Sequence, residues 1–257
     1  FIQMTSDSNY EYYPITEKGD SIIILTNFGA PMNRLMIADI RNPGIKDWKE
    51  FVPERKELLS SADHIGDKLI LTYMKDASDH AYSYTLDGKM EHEIKLPMVG
   101  SVYFTGKRED RECYYTFRSF TMPNTIYKYD MESGESILYK SPKLAFRTND
   151  LVSEQVFYES KDGTRIPMTL TYRKGMKRNG KNPVFLYGYG GFAISLTPSF
   201  SAMRIPFIES GGIYAEANIR GGNEYGKEWH LAGTKMQKQN VFDDFISAAE
   251  WLIDNKY

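Results

Sequence analysis

The sequence has little cysteine, no long apolar stretch and no excess of basic residues. Cys113 is the one cysteine among 257 residues, so the chain can form neither an internal disulfide nor a zinc site made of several thiolates. No apolar run reaches the roughly 18 residues that a helix needs to cross a bilayer. Lysine and arginine number 32, aspartate and glutamate 34. Proteins that bind nucleic acid through its phosphates usually have an excess of basic residues. The near-equal numbers of basic and acidic residues therefore argue against a nucleic-acid partner.

Two glycine-rich segments approach known nucleotide-binding motifs and depart from both. Residues 188–193 fit the dinucleotide pattern G-x-G-x-x-A, but β-branched residues and Pro198 follow where a helix would have to open. Residues 221–227 copy most of a phosphate-binding loop. Glu228 stands where that loop needs Ser or Thr, and Glu224 adds a second negative charge. We therefore expect neither a dinucleotide nor a nucleotide cofactor.

Metal and nucleophile motifs are also lacking. The serine-hydrolase pattern G-x-S-x-G is absent throughout. Cys113 lies in an alternating run of residues, which favours a packing role over a nucleophilic one. None of the four histidines has metal-ligand spacing to another, and each is interpreted as a loop or surface residue. They are His64, His80, His92 and His230. The sequence thus predicts no metal site.

The first half of the sequence repeats a pattern of short alternating strands. Three runs, SIIILTN, KLILTYM and ECYYTFRS, follow turn residues that begin at positions 19, 66 and 110, and a second strand follows each run at a similar offset. A period of about 40–50 residues built only from strands is typical of four-stranded propeller blades. Residues 1–147 then hold about three blades, whereas propellers usually close with four to eight. We therefore expect the chain to be a piece of a longer protein. A β-sandwich of irregular hairpins is the alternative.

From about residue 150 the pattern changes. Residues 155–160 and 166–172 flank Asp162-Gly163, which predicts a hairpin. A basic loop over residues 174–182 separates this hairpin from two apolar runs, PVFLYGYGG and GIYAEANI. Such continuous apolar runs are typical of strands buried on both faces. Residues 220–237 form a glycine-rich connection without a clean period.

The last predicted element is a helix that begins near Asn240. Asn240 is the expected N-cap, with Asp243 as its capping-box partner, and Asp244 also falls in the first turn, where the helix dipole favours acids. The predicted apolar face consists of Phe242, Phe245, Ala249 and Leu252. Two buried strands and a helix predict an α/β domain over residues 148–257.

The strand YGYGG carries the strongest candidate for chemistry. A tyrosine hydroxyl can donate to a developing oxyanion, and Tyr187 and Tyr189 lie where an α/β-hydrolase places such a donor. The residues alone favour the other interpretation, in which both tyrosines pack against the end of the strand.

Several long motifs together resemble the prolyl oligopeptidase family. They are PVFLYGYGGFAISLTPSFS, ANIRGGNEYGKEWH, KQNVFDDFISAAEWLI and, at residues 157–168, FYESKDGTRIPM. The segments EYYPITEKGDSIIILTN, VPERKELL and LPMVGSVYFTG resemble later blades of that family's propeller. The resemblance covers essentially the whole chain.

The resemblance implies a seven-bladed propeller joined to an α/β-hydrolase domain that cleaves short peptides after proline with a Ser–Asp–His triad. Residues 1–147 would be the last blades and residues 148–257 the first part of the hydrolase domain. By position, Tyr189 matches the tyrosine that helps to form the oxyanion hole, and Phe192 matches an aromatic residue that lines the proline pocket. Tyr187 and Arg220 are assigned structural roles only.

The same resemblance implies what the chain does not carry. The family's nucleophile follows the next strand, beyond Tyr257, so the chain alone is expected to be inactive. The implied partners are short proline-containing peptides, with no nucleic acid and no membrane, and a monomer at full length. The compartment stays unknown, with the cytoplasm favoured over the periplasm. Two alternatives remain: a sister oligopeptidase specific for basic residues, disfavoured by the form GYGGF, and a non-enzymatic propeller that serves as an interaction module.

Overall fold

The computed structural model describes residues 3–257, and its first half is built from three antiparallel sheets of four strands each. In each of these three sheets the strands follow one another in chain order. The first sheet contains β1 (Tyr12–Lys18), β2 (Ser21–Thr26), β3 (Arg34–Asp39) and β4 (Lys49–Val52). The second contains β5 (Leu58–Ile65), β6 (Lys68–Lys75), β7 (Ser78–Thr85) and β8 (Met90–Ile94). The third contains β9 (Ser101–Thr105), β10 (Glu112–Arg118), β11 (Thr125–Asp130) and β12 (Ser136–Lys140).

The sheets pack against one another face to face, as propeller blades do. One apolar core joins Leu25 and Leu35 of the first sheet to Leu69 and Leu71 of the second. Another joins the second sheet to the third around the fully buried Phe117. Because the middle sheet is covered on both sides, β6 is buried along nearly its whole length rather than alternately. The predicted period of four-stranded units is confirmed.

Two smaller predictions for this half are also confirmed. Among residues 3–147 the helical structure is limited to a single 3₁₀ turn, Ile45–Asp47. Cys113 lies on β10, is 0% exposed and belongs to the core between the second and third sheets. Burial raises the pKa of its thiol to about 12, so the group packs as a small apolar side chain.

The second half begins with a mixed sheet in the order β13-β14-β16-β15. Its strands are β13 (Leu151–Glu159), β14 (Arg165–Arg173), β15 (Val184–Gly188) and β16 (Ile213–Ala217). β13 and β14 form the predicted hairpin, with Glu159 opposite Arg165, and β15 pairs parallel to β16. The third sheet ends at Lys140 and β13 starts at Leu151. The boundary at 147/148 stays a prediction.

One of the two apolar strands is less buried than predicted. Every residue of β16 is buried, as predicted. β15 alternates instead: Phe185 is 57% exposed and Tyr187 38% exposed. The physical reason is that only the face with Val184 and Leu186 packs against the core. β15 is also at the edge of the four strands that the structure describes.

Three helices accompany this sheet: α1 (Ile205–Glu209), α2 (Gly226–Leu231) and α3 (Gln239–Asp254). α2 lies in the glycine-rich connection, whose sequence has no clean period. α3 confirms the predicted helix near Asn240, but the predicted cap is wrong. Lys238 is at the N-cap, and the side chain of Asn240 donates instead to the carbonyl of Ala232 (2.9 Å).

The predicted apolar face of α3 is also partly wrong. The buried residues are Val241, Asp244, Ala248 and Leu252, whereas Phe242 is 54% exposed. Asp244 is therefore part of the core and not a solvated charge in the first turn. The histidines, expected in loops or at the surface, lie in β5, β7, β8 and α2; of the four, only His92 is exposed.

No helix within residues 3–257 is long and apolar enough to span a membrane. Over the same residues, no group of three or more His, Cys, Asp or Glu side chains could hold a metal ion.

Candidate functional site

The candidate site lies where the two parallel strands end. β15 and β16 are in register, with Gly188 beside Ala217. The chain leaves β15 through residues 189–196 and leaves β16 through residues 218–225, so both segments lie at the same edge of the sheet. In α/β sheets, ligands bind beyond the carboxyl ends of parallel strands. The structure thus places Tyr189 and Phe192 together on one segment at this edge.

Two glycines allow the segments to approach each other closely. Gly190 has φ +60°, and a Cβ there would lie 2.5 Å from Cγ1 of Val241 in α3. Gly221 has φ +97°, and a Cβ there would lie 2.5 Å from the carbonyl oxygen of Gly190. Any larger residue at either position would have to move backbone or core atoms, so this contact requires glycine.

Hydrogen bonds fix the segment at Gly190 and at Ala193. The Lys238 ammonium donates to the carbonyl oxygen of Gly190 (2.7 Å). The carbonyl oxygen of Gly221 accepts from the amide of Ala193 (3.1 Å) and lies 2.9 Å from Nδ1 of His230. Nδ1 of His230 also lies 3.0 Å from the amide nitrogen of Ala193, so it donates to the Gly221 carbonyl when it carries the proton and accepts from the Ala193 amide when it does not. His230, expected in a loop, in fact supports the segment that carries the candidate site.

Phe192 is presented by an uncommon backbone conformation. Phe192 and Ala193 have φ values of +55° and +54°, in the left-handed region that non-glycine residues seldom adopt. The turn directs the ring outward, and Phe192 is 84% exposed. Tyr189 is 43% exposed. Neither ring is buried by packing in the described chain, so both surfaces are free to contact a ligand.

A buried ionic network holds the end of β16 against the rest of the domain. Asp244 of α3 is 0% exposed, and its carboxylate accepts from Nε and Nη2 of Arg220 at 3.0 and 2.6 Å. The hydroxyl of Ser160 donates to the same carboxylate (2.6 Å). Arg220 also contacts Asp162 in the β13–β14 turn. The hydrogen bond from the Arg220 guanidinium to the Asp162 carboxylate is the main reason that the pKa of Asp162 falls to about 2. The structural role expected for Arg220 fits this geometry.

Comparison with known proteins places the chain in a family. Residues 1–142 match the family profile described as "Prolyl oligopeptidase, N-terminal beta-propeller domain", and residues 198–257 match the one described as "Prolyl oligopeptidase family". The chain belongs to the prolyl oligopeptidase family. The predicted fold is thereby confirmed as a set of propeller blades followed by the first part of an α/β-hydrolase domain.

Named relatives of the family are similar over nearly the whole chain. The prolyl endopeptidase of Elizabethkingia meningoseptica is 48% identical over 93% of this chain and 34% of its own length. That of Dictyostelium discoideum is 39% identical over 98% of this chain and 35% of its own length. The chain thus spans about a third of the length of the curated relatives that it matches.

Solved structures show the same architecture. A structure from a study of two prolyl endopeptidases superposes with a TM-score of 0.95 at 41% identity and covers 99% of this chain and 38% of its own. Prolyl oligopeptidase B from Galerina marginata, bound to a 35mer hydrolysis and macrocyclization substrate, gives a TM-score of 0.94 at 33% identity, over 99% of this chain and 36% of its own. The roles of Tyr189 and Phe192 in this chain stay predictions.

Proposed function

We propose that this chain is part of a serine endopeptidase that hydrolyses short peptides on the carboxyl side of proline. The observation that carries the proposal is the placement of Tyr189 and Phe192, both exposed, at the carboxyl edge of the parallel strands. Membership of the prolyl oligopeptidase family supports it. The triad would come from parts of the longer protein, and residues 1–147 and 148–257 would contribute blades and catalytic domain respectively. At full length the enzyme would act as a monomer, without nucleic acid or membrane as partner.

Tyr189 would act as a hydrogen-bond donor to the oxyanion. Attack on a peptide carbonyl builds negative charge on its oxygen, and a donor fixed in advance lowers the free energy of that state. The phenolic hydroxyl can donate. Gly190, the next residue, is held by the bond from Lys238 (2.7 Å) and by its close contact with α3. The donor is therefore carried on a backbone that need not reorganise during the reaction.

Phe192 would bind the proline side chain. A pyrrolidine ring is compact and apolar, and it gains contact area against an aromatic face. The left-handed conformation at Phe192 and Ala193 turns the phenyl ring away from the domain, where a substrate can reach it.

The proposal is tested in the longer enzyme with two variants. Tyr189→Phe keeps the ring and removes the hydroxyl, so kcat on a blocked Gly-Pro fluorogenic peptide should fall, on the order of 100-fold, with a much smaller change in KM. Phe192→Ala should chiefly raise KM. Tyr139→Phe is the matched control, because Tyr139 is an exposed tyrosine of β12 in the third sheet.

Two results would contradict the proposal. An unchanged kcat for Tyr189→Phe would return Tyr189 to a packing role. Cleavage after arginine or lysine, with none after proline, would favour the sister oligopeptidase specific for basic residues.

A further inference from the structure

The peptide group of Leu196 is held from both sides by buried side chains. Oε1 of Glu224 accepts from the amide of Leu196 (2.8 Å), and Nδ2 of Asn218 donates to the carbonyl oxygen of the same residue (2.8 Å). Nδ2 of Asn218 also lies 3.3 Å from Oε1 of Glu224. We call these three residues the Leu196 clamp. The sequence assigns no functional role to Glu224 or Asn218, and the proposed chemistry uses neither.

Glu224 is in an unusual environment for a carboxyl group. It is 2% exposed, and Asn218 is 3% exposed. Its second oxygen, Oε2, has no hydrogen-bond partner among residues 3–257. A Cβ at position 222 would lie 2.2 Å from Oε2 and 2.9 Å from Cδ, so a larger residue than Gly222 would displace the Glu224 carboxyl group. A buried polar atom without a partner is unfavourable, and this cost suggests a role beyond filling space.

The clamp is the third point at which the segment after β15 is fixed. Gly190 is held by Lys238, Ala193 by Gly221, and Leu196 by the clamp. Phe192 lies between these points, and its ring is 84% exposed. Its direction therefore depends on the backbone rather than on packing of the ring.

We infer that Glu224 is a positioning residue for substrate specificity. With Asn218 it fixes the Leu196 peptide, and this fixes the left-handed turn at Phe192 and Ala193 that presents the phenyl ring to the side chain before the cleaved bond. The link to specificity rests on the function proposed above, whereas the clamp itself does not.

Two substitutions at Glu224 distinguish the effect of its carboxylate oxygens from the effect of its side-chain volume. Glu224→Met keeps a similar volume and removes both oxygens. Glu224→Gln keeps an oxygen that can accept from Leu196 and is always neutral. Burial, the main cause, raises the pKa of Glu224 to about 7, so glutamine resembles the protonated form. Glu228→Met is the matched control, because Glu228 is an exposed carboxylate four residues further along the chain, in α2.

The first experiment measures amide hydrogen exchange over residues 190–198 in the full-length protein. Glu224→Met should accelerate exchange there by about two- to tenfold, as expected for the loss of one hydrogen bond. Glu224→Gln and Glu228→Met should match the wild type. Unchanged exchange in Glu224→Met would overturn the clamp. If that variant does not fold, Asn218→Ala removes the bond to the Leu196 carbonyl and should accelerate exchange in the same segment.

The second experiment compares kcat/KM for two peptides that differ only in proline or alanine before the cleaved bond. Glu224→Met should lower the proline-to-alanine ratio, Glu224→Gln should retain it, and Glu224→Met in a Phe192→Ala background should lower it no further. A merely structural role would lower both rates together and leave the ratio unchanged, which would overturn the specificity role. A wild-type enzyme with no proline preference would refute the proposed function instead, and hydrogen exchange would still decide the clamp.

Discussion

Arg220→Met is the perturbation whose consequence the structure defines best. The substitution removes the guanidinium and retains much of the side-chain length. Asp244, 0% exposed, would lose its bonds from Nε and Nη2 and would keep those from the backbone amide of residue 220 (2.9 Å) and the hydroxyl of Ser160 (2.6 Å). The carboxylate would thus keep two neutral donors and lose the cation closest to it.

The expected loss of stability follows from the hydrogen bonds that Asp244 loses and keeps. Removing one partner of a buried ion pair lowers the free energy of unfolding by about 3–5 kcal/mol. The two remaining donors place this site near the lower end, at about 3 kcal/mol. Asp162 adds little, because its side chain is 47% exposed and water screens its attraction to Arg220. The double variant with Asp244→Leu should recover most of the loss, because it leaves no buried charge unpaired.

Urea unfolding followed by tryptophan fluorescence measures this free energy. Trp229 and Trp251 pack against the core of the second half and report on it directly. Arg41→Met is the control: Arg41 also makes two hydrogen bonds to a carboxylate, that of Asp39, but its side chain is 70% exposed. We expect the control to lose less than about 1 kcal/mol. An equal loss for Arg220→Met and Arg41→Met would refute the reasoning.

Two further predictions concern Glu224 and the isolated chain. Because burial raises the pKa of Glu224 to about 7, the folded state retains a proton that the unfolded state releases, and stability falls as pH rises from the ordinary glutamate range to about 7. The free energy of unfolding of Glu224→Gln, relative to that of the wild type, should therefore rise by up to about 3 kcal/mol from pH 4 to pH 8. The same difference in melting temperature between variant and wild type at both pH values would contradict this. The 257-residue chain alone should not cleave the Gly-Pro peptide, because it has no serine on a nucleophile elbow; cleavage by a preparation free of contaminating peptidases would contradict it.

Sequence reasoning found the strands that carry a strong local signal. The second and third strands of each blade follow turn residues and are rich in apolar and aromatic residues, and all six coincide with strands of the structure. Among the outer strands, β4 has only four residues and β12 is exposed along its whole length, so neither carries a clear local signal. A strand with no buried face has no reason to alternate, so its sequence gives no period to detect.

The sequence identified only some of the residues of the candidate site. Tyr189 and Phe192 stand out through the motif that contains them. Glu224, Lys238 and His230 do not, because each contacts a backbone group that is distant in the chain. Glu224 accepts from an amide 28 positions away, Lys238 donates to a carbonyl 48 positions away, and His230 lies against the Ala193 amide, 37 positions away. The glycines at 190 and 221 were the available signal, since each marks a place where two backbones must meet.

By itself the sequence determined the blades, the β13–β14 hairpin, the buried strand β16 and the helix α3, because their turns and periods are local properties of the chain. Only the tertiary structure decided the environment of each polar side chain. Asp244 has the same helical spacing whether it faces water or the core. It is buried because Arg220, 24 residues earlier, and Ser160, 84 residues earlier, meet it there. A charge can be buried only where its partners converge, and that convergence exists only in the folded chain.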